Sequence, residues 1–331
     1  MASRSVRRLG LSEGHVGDPA LIERVQRAVA PRQHDHLSVA VLASGGWEWA
    51  HFGAADAQSY EIGSITKTFT AALFAIAIDR GELSAETTAG AVLELGDSAA
   101  AALRLGDIAT HHSGLPRLPL NFADLRRGAR AVRARRDPYE ASVDELVSLA
   151  ARSPMAKPGA FLYSNLGYAV LGQAVAAAAE QSYAQLLAER ITRPLALADT
   201  QSFPKVEDLP AGAPRGRDRR GRTSDPWTMN AYGPAGNIRS TLQDMMRYVQ
   251  AQLENSAPGV SATAPQVAVR GQGEIGYAWI TRQDGLTWHN GMTGGFASFV
   301  GFDRSRSRAV VVLSNTAVSV DRLALSLVAP R

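Results

Sequence analysis

The sequence predicts an α+β fold: an antiparallel sheet built from both chain ends, flanked by helices, with a mostly helical lobe inserted between the sheet-forming parts. Three observations carry that expectation. Strand-like stretches lie at 37–53 and return at 275–313. Between about 83 and 252 the chain is alanine-rich, helix-patterned and punctuated by proline and glycine. With 331 residues, 45% of them hydrophobic, the chain can bury one large core or two lobes. The expected organisation is a flexible tail over 1–18 and a single domain over 19–331. Its α/β lobe comes from about 19–82 and 256–331, and its helical lobe from about 83–255.

Taken in order, residues 19–30 read as a short amphipathic helix with proline in its first turn. Residues 37–42 are strand-like, Ser44-Gly45-Gly46 turns, and 47–53 alternates as a returning strand. A helix starting at Ser64 shows an apolar face through Phe69, Leu73 and Ile76 and stops near Gly81. Further helices are expected at 101–110, 142–152, 166–180, 183–192 and 241–253. Strands follow at 275–282, 286–290, 296–302 and 309–313, with a closing helix near 318–327.

Composition excludes several classes of function. The chain has no cysteine, so disulfides, thiolate catalysis and cysteine-based metal sites are ruled out. A net charge of +4 does not suggest a general nucleic-acid binder. The first 18 residues carry Arg4, Arg7 and Arg8 without a following apolar run, and no stretch reaches 18 apolar residues. The expectation is therefore a cytoplasmic protein that does not span a membrane. His34-Asp35-His36 begins like an H-x-H-x-D-H zinc motif, but Ser38 and Val39 stand where its aspartate and last histidine belong. No metal site is expected there. The arginine runs 126–136 and 215–222 read as solvated loops, with an anion-attracting rim as the sharper alternative.

The chemistry centres on Glu61-Ile62-Gly63-Ser64-Ile65-Thr66-Lys67. Ser64 and Lys67 are three apart, so on a helix they share a face and can touch. An amine beside a serine can take its proton and make it a nucleophile, which arginine cannot do. The sequence has only three lysines, Lys67, Lys157 and Lys205, which makes Lys67 a chemical choice. The start of the helix offers free N–H groups where an oxyanion could form. Two further stretches accompany this pair. Tyr163-Ser164-Asn165 follows Pro158-Gly159 and precedes a helix; a tyrosine hydroxyl beside a lysine can drop in pKa and shuttle a proton, and the asparagine offers donor and acceptor. His289-Asn290-Gly291 ends a predicted strand and is followed by Met292-Thr293-Gly294-Gly295, glycines that let a substrate backbone approach. His111 and His112 read as loop-packing residues, and Trp227, Tyr232 and Trp288 as possible cleft walls.

In this order and spacing the three stretches resemble the motifs of the serine β-lactamase and penicillin-binding-protein superfamily, whose class A version has S-x-x-K, S-D-N and K-T-G. Tyr163-Ser164-Asn165 in place of S-D-N makes the likeness one to the class C branch, which also holds DD-peptidases, D-amino-acid amidases and family VIII carboxylesterases. The resemblance covers about 35–330. Thr110 to Pro116, Pro158 to Gly172, and Gly233-Pro234-Ala235-Gly236 running to Ser240-Thr241 support it.

The resemblance implies a β-lactamase/transpeptidase-like fold in which Ser64 forms an acyl-enzyme on an ester or amide. Lys67 would be its base or proton partner and Tyr163 a second acid/base. Asn165, His289, Asn290 and Gly291 would contact substrate, and the backbone N–H groups of Ser64 and Met292 would form the oxyanion hole. No cofactor is required, and the partner is a small-molecule substrate rather than nucleic acid. The third motif departs from K-T-G: a mostly neutral imidazole attracts a carboxylate less than lysine does, which counts against a true β-lactamase. Transfer of the acyl group to an amine or alcohol remains open, as does a non-catalytic binding role, which the intact set of Ser64, Lys67, Tyr163 and Asn165 opposes.

Overall fold

The computed structural model describes residues 14–29, 34–43, 46–118, 122–269, 271 and 273–329. The α/β part begins with β1 (His15–Gly17), α1 (Pro19–Ala28), β2 (Leu37–Ala43), β3 (Gly46–Phe52) and β4 (Tyr60–Glu61). The segment bearing Ser64 is a 3₁₀ turn, Gly63–Ile65, running directly into α2 (Thr66–Asp79). The helical part holds α3 (Leu105–Ala109), α4 (Phe122–Arg133), α5 (Val143–Ala151), α6 (Asn165–Ala178) and α7 (Tyr183–Leu187), then β5 (Gln201–Ser202), β6 (Ile238–Ser240) and α8 (Leu242–Leu253). The chain returns through β7 (Val267–Val269), β8 (Gly273–Ile275), β9 (Ile280–Thr281), β10 (Thr287–Met292), β11 (Ala297–Asp303) and β12 (Arg308–Ser314) to α9 (Asp321–Val328).

The described strands form an antiparallel sheet of order β1-β3-β2-β12-β11-β10-β9-β8-β7, so both chain ends meet at β2 and β12, as expected. Those two strands and β11 read as near-continuous apolar runs because both faces are covered. Val310 and Val312 pack with Leu21, Val25, Leu323 and Leu327 of α1 and α9. Their neighbours Ala309, Val311 and Leu313 face the opposite core, which holds α2 and α8. Helix α2 is buried on all sides from Thr66 to Ala77, as is most of α6. Small residues allow the close approach: a Cβ on Gly172 of α6 would lie 2.1 Å from Pro234 Cβ.

Several expectations need correction. The tail is not loose to residue 18, because His15–Gly17 pairs with β3; residues 1–13, the rest of that tail, and the turn residues 44–45 lie outside the described residues. Residues 126–133 are the latter part of helix α4 rather than a loop. The strand expected at 275–282 is two short strands, β8 and β9, separated by a bend where Ala278 has φ +65°. A second small sheet, β4-β6-β5, was not foreseen. Ser64 sits in the 3₁₀ turn before the α-helix, whose first residues carry Lys67.

Candidate active site

The turn that presents Ser64 depends on Gly63, which has φ +51° and therefore favours glycine. A Cβ there would also lie 2.7 Å from Met292 N, so β10 presses against the turn. Gly291 makes the complementary approach: its Cβ would fall 2.0 Å from the Ile62 carbonyl and 2.9 Å from Ser64 N. The two predicted oxyanion donors, Ser64 N and Met292 N, are brought to the same seam between turn and strand.

Lys67 is fully buried, with its Nζ 3.1 Å from Ser64 Oγ and donating to the Ala235 carbonyl at 2.6 Å. The Gly233–Gly236 phrase thus has a function, supplying a carbonyl that aims the amine. Among the described residues, no carboxylate pairs with Lys67. Burial without a counter-ion disfavours the ammonium, and Arg117 adds repulsion, so the amine titrates well below the ordinary lysine range. Nζ lies 5.0 Å from the centre of the Tyr163 ring and 5.7 Å from that of Tyr168.

Tyr163 shares a hydrogen bond with Ser64, but its titration runs opposite to the sequence expectation. Burial pushes the phenol above its usual range, and the Ser64 bond and Arg117 only partly offset this. Tyr163 is therefore held in its neutral, protonated form. Ser164 caps α6, accepting from Gly167 N at 2.8 Å while its hydroxyl donates to the Pro116 carbonyl, which fixes Tyr163 just ahead of the helix. Asn165 follows as the first helical residue. Its Nδ2 donates to Tyr139 Oη at 2.8 Å, while its buried Oδ1 has no partner and is available to a substrate N–H.

The third motif is divided by the pleat of β10. His289 is buried with its ring 6.3 Å from that of Tyr163; burial and the nearby Lys67 hold its pKa down at about 3, so the imidazole is neutral at pH 7. Nδ1 lies 2.6 Å from the Asn290 carbonyl, which fixes the proton on Nδ1, and Nε2 has no partner. Asn290 points to the other face of the strand and donates to Asp321 Oδ2 at 2.9 Å. Its expected substrate contact is thus replaced by a tie to α9. Trp288 shares that face, stacked on Phe299 at 5.3 Å, and is not a cleft wall. Trp227 and Tyr232 do line a cavity of about 770 Å³ with Arg117 and Tyr139.

Sequence reasoning missed three supporting groups. Glu61 is buried and pairs with Arg239 at 3.1 Å; it also accepts from Thr293 Oγ1 at 2.6 Å and from Trp227 N at 3.1 Å. Burial pushes its carboxyl up, and Arg239 opposes that. The pair ties the strand before Ser64 to the residue after Met292. An acid three residues ahead of Ser64 was the available signal. His111, expected only to pack a loop, accepts from Ser164 N through Nδ1 at 3.2 Å, and its ring lies 4.5 Å from that of Tyr163. It is a positioning residue for Tyr163. Arg117, whose guanidinium is 5.8 Å from the Tyr163 ring centre, is the third. Removing its charge in Arg117→Gln relieves repulsion of the Lys67 ammonium, so the Lys67 pKa should rise. The acid limb of the pH profile of kcat/KM should move to higher pH; an unmoved limb would mean that Arg117 does not act on Lys67.

Among the described residues no group of acids and histidines could hold a metal ion, and no helix is long and apolar enough to cross a membrane. The Beta-lactamase family model matches residues 21–328. The chain is 31% identical over 202 residues to the D-alanyl-D-alanine-carboxypeptidase/endopeptidase AmpH of Escherichia coli (strain K12), covering 59% of this chain and 49% of that protein. It is 27% identical to penicillin-binding protein 4 of Amycolatopsis lactamdurans over 59% of this chain and 51% of that protein. The chain thus spans about half the length of these relatives. Among solved structures, a class C beta-lactamase superposes with a TM-score of 0.75 at 18% identity, covering 89% of both chains. The class C beta-lactamase from Rhodobacter sphaeroides gives 0.74 at 21% identity, over 92% of this chain and 94% of that one.

Proposed function

The chain belongs to the beta-lactamase family, and we propose that it is a serine hydrolase that cleaves an ester or amide through an acyl-enzyme on Ser64. The observation that carries this reading is the buried, carboxylate-free Lys67, with its Nζ 3.1 Å from Ser64 Oγ. An amine held neutral there has a lone pair for the serine proton while one N–H remains on the Ala235 carbonyl.

In the first step Lys67 takes the hydroxyl proton as Ser64 Oγ bonds to the substrate carbonyl carbon. The resulting oxyanion accepts from the backbone N–H groups of Ser64 and Met292; losing one such donor typically costs about 100- to 1,000-fold in rate. Collapse breaks the bond to the leaving amine or alcohol, which receives a proton from Tyr163, and the proton on Lys67 restores the phenol. Water then attacks the acyl carbon by the reverse relay, releasing the acid and restoring Ser64. Asn165 Oδ1 accepts from the substrate N–H when the substrate is an amide. The neutral His289 supplies no cation at the place where relatives with K-T-G have one, which favours acyl donors that need no carboxylate there.

Labelling with a fluorophosphonate tests the reading. The intact mass of the wild type should rise by one phosphonyl group, and that of Ser64→Ala should not. A wild-type chain left unmodified by fluorophosphonates, activated esters and penicillins would overturn it.

A further inference from the structure

The two arginine runs, about 80 residues apart in sequence, converge in space. The end of α4 is tied to the second run by Arg135 Nε donating to the Thr223 carbonyl at 3.0 Å and by Asp225 N donating to the Arg135 carbonyl at 2.8 Å. Between them lies a cavity of about 600 Å³ whose wall includes Arg133, Arg135, Arg136, Arg219, Arg220 and Arg222. The only carboxylate among the described lining residues is Asp218, and Arg222 already pairs with it at 2.7 Å. Elsewhere in the second run Arg215 pairs with Asp225, and Arg217 with Asp35 at 2.5 Å. Among the described residues Arg133, Arg136, Arg219 and Arg220 pair with no carboxylate, and all four side chains are exposed.

Four unpaired guanidinium groups around one concavity repel one another, and that repulsion is relieved when an anion enters. The cavity also adjoins the site. Its wall includes Thr293 and Gly294, the residues that follow the oxyanion donor Met292 along the chain. At about 3.8 Å per Cα step, Gly294 is within roughly 8 Å of Met292. Thr293 is anchored to Glu61, and Trp227, whose N–H donates to the same carboxylate, lines the cavity as well.

We propose that this cavity is a substrate subsite for a multiply charged oxyanion, a phosphate or a polycarboxylate, carried by the substrate past Met292 and held by Arg133, Arg136, Arg219 and Arg220. Guanidinium forks match both kinds of oxyanion in bidentate geometry. The proposal rests on the acyl-enzyme reading only for the word substrate; the anion site itself does not depend on it. A cationic recognition element therefore lies beyond the oxyanion strand, while His289 on that strand is neutral.

The test has a binding arm and a kinetic arm. Calorimetric titration of Ser64→Ala with inorganic pyrophosphate and with citrate should show saturable one-to-one binding of at least one of them. The tighter of the two identifies phosphate or polycarboxylate chemistry. In Ser64→Ala carrying also Arg136→Gln and Arg220→Gln, the affinity should fall about tenfold. The same anion should raise KM for a neutral p-nitrophenyl ester in the wild-type enzyme without changing kcat. Absence of saturable binding, equal affinity in the variant, or inhibition that lowers kcat alone would each overturn the subsite. A wild type that fluorophosphonates, activated esters and penicillins all leave unmodified but that shows saturable, arginine-dependent binding would defeat the hydrolase reading and leave the anion site standing.

Discussion

Replacing Lys67 with methionine is expected to lower kcat/KM for ester hydrolysis by about 100- to 10,000-fold, the range associated with loss of a positioned proton acceptor. Methionine fills a similar volume in the fully buried position, so the fold should survive. The Ala235 carbonyl loses its donor, at about 1–3 kcal/mol. Relief of amine desolvation opposes that loss. Stopped assays on purified Lys67→Met, with circular dichroism to confirm the fold, provide the measurement. A variant within tenfold of wild type would show that the base is another group.

Glu61→Ala should lower the free energy of unfolding by about 3–5 kcal/mol, because it strands the buried Arg239 guanidinium without a counter-charge. It also removes the acceptor of Thr293 Oγ1, next to Met292, the proposed oxyanion donor. Activity should therefore fall even at temperatures where the variant is folded. The double variant Glu61→Leu with Arg239→Met removes both charges and should recover most of the stability. Urea denaturation of wild type, single and double variants checks this. A loss below about 1 kcal/mol for Glu61→Ala would mean the pair does not hold turn and strand together.

What could be read from the sequence was the local part of the site. Ser64 and Lys67 are linked by helical spacing alone, and Tyr163 and Asn165 flank a serine whose capping role sequence rules capture. The central strands were legible because burial on both faces leaves uninterrupted apolar runs such as 309–313. The sheet β4-β6-β5 was not, since strands of two or three residues carry no period. Helix α4 was hidden by its charge: four arginines between 126 and 133, with two more just beyond its end, dominate the text over its sparse apolar residues. The pairing of Glu61 with Arg239, 178 residues apart, and the meeting of the two arginine runs are long-range outcomes of the fold. The face taken by Asn290 was readable in principle from the alternation along β10, since His289 and Gly291 turn toward Ser64 and Asn290 away.

The pairing of β2 with β12 at the centre of the sheet has a bearing on when the Ser64 site can assemble. Ser64 and Lys67 leave the ribosome early, but the strand bearing Met292 and the strand that joins the two chain ends are made some 230 to 250 residues later. At roughly 5–20 residues per second, that is an interval on the order of 10 to 50 seconds. Throughout it the serine has its amine close in sequence but no oxyanion seam and no closed sheet to exclude water. The topology thus orders assembly on nascent chains: the seam shared by Ser64 N and Met292 N cannot form before β10 is made, and a chain cut short before β12 carries an intact Ser-x-x-Lys motif without the closed sheet.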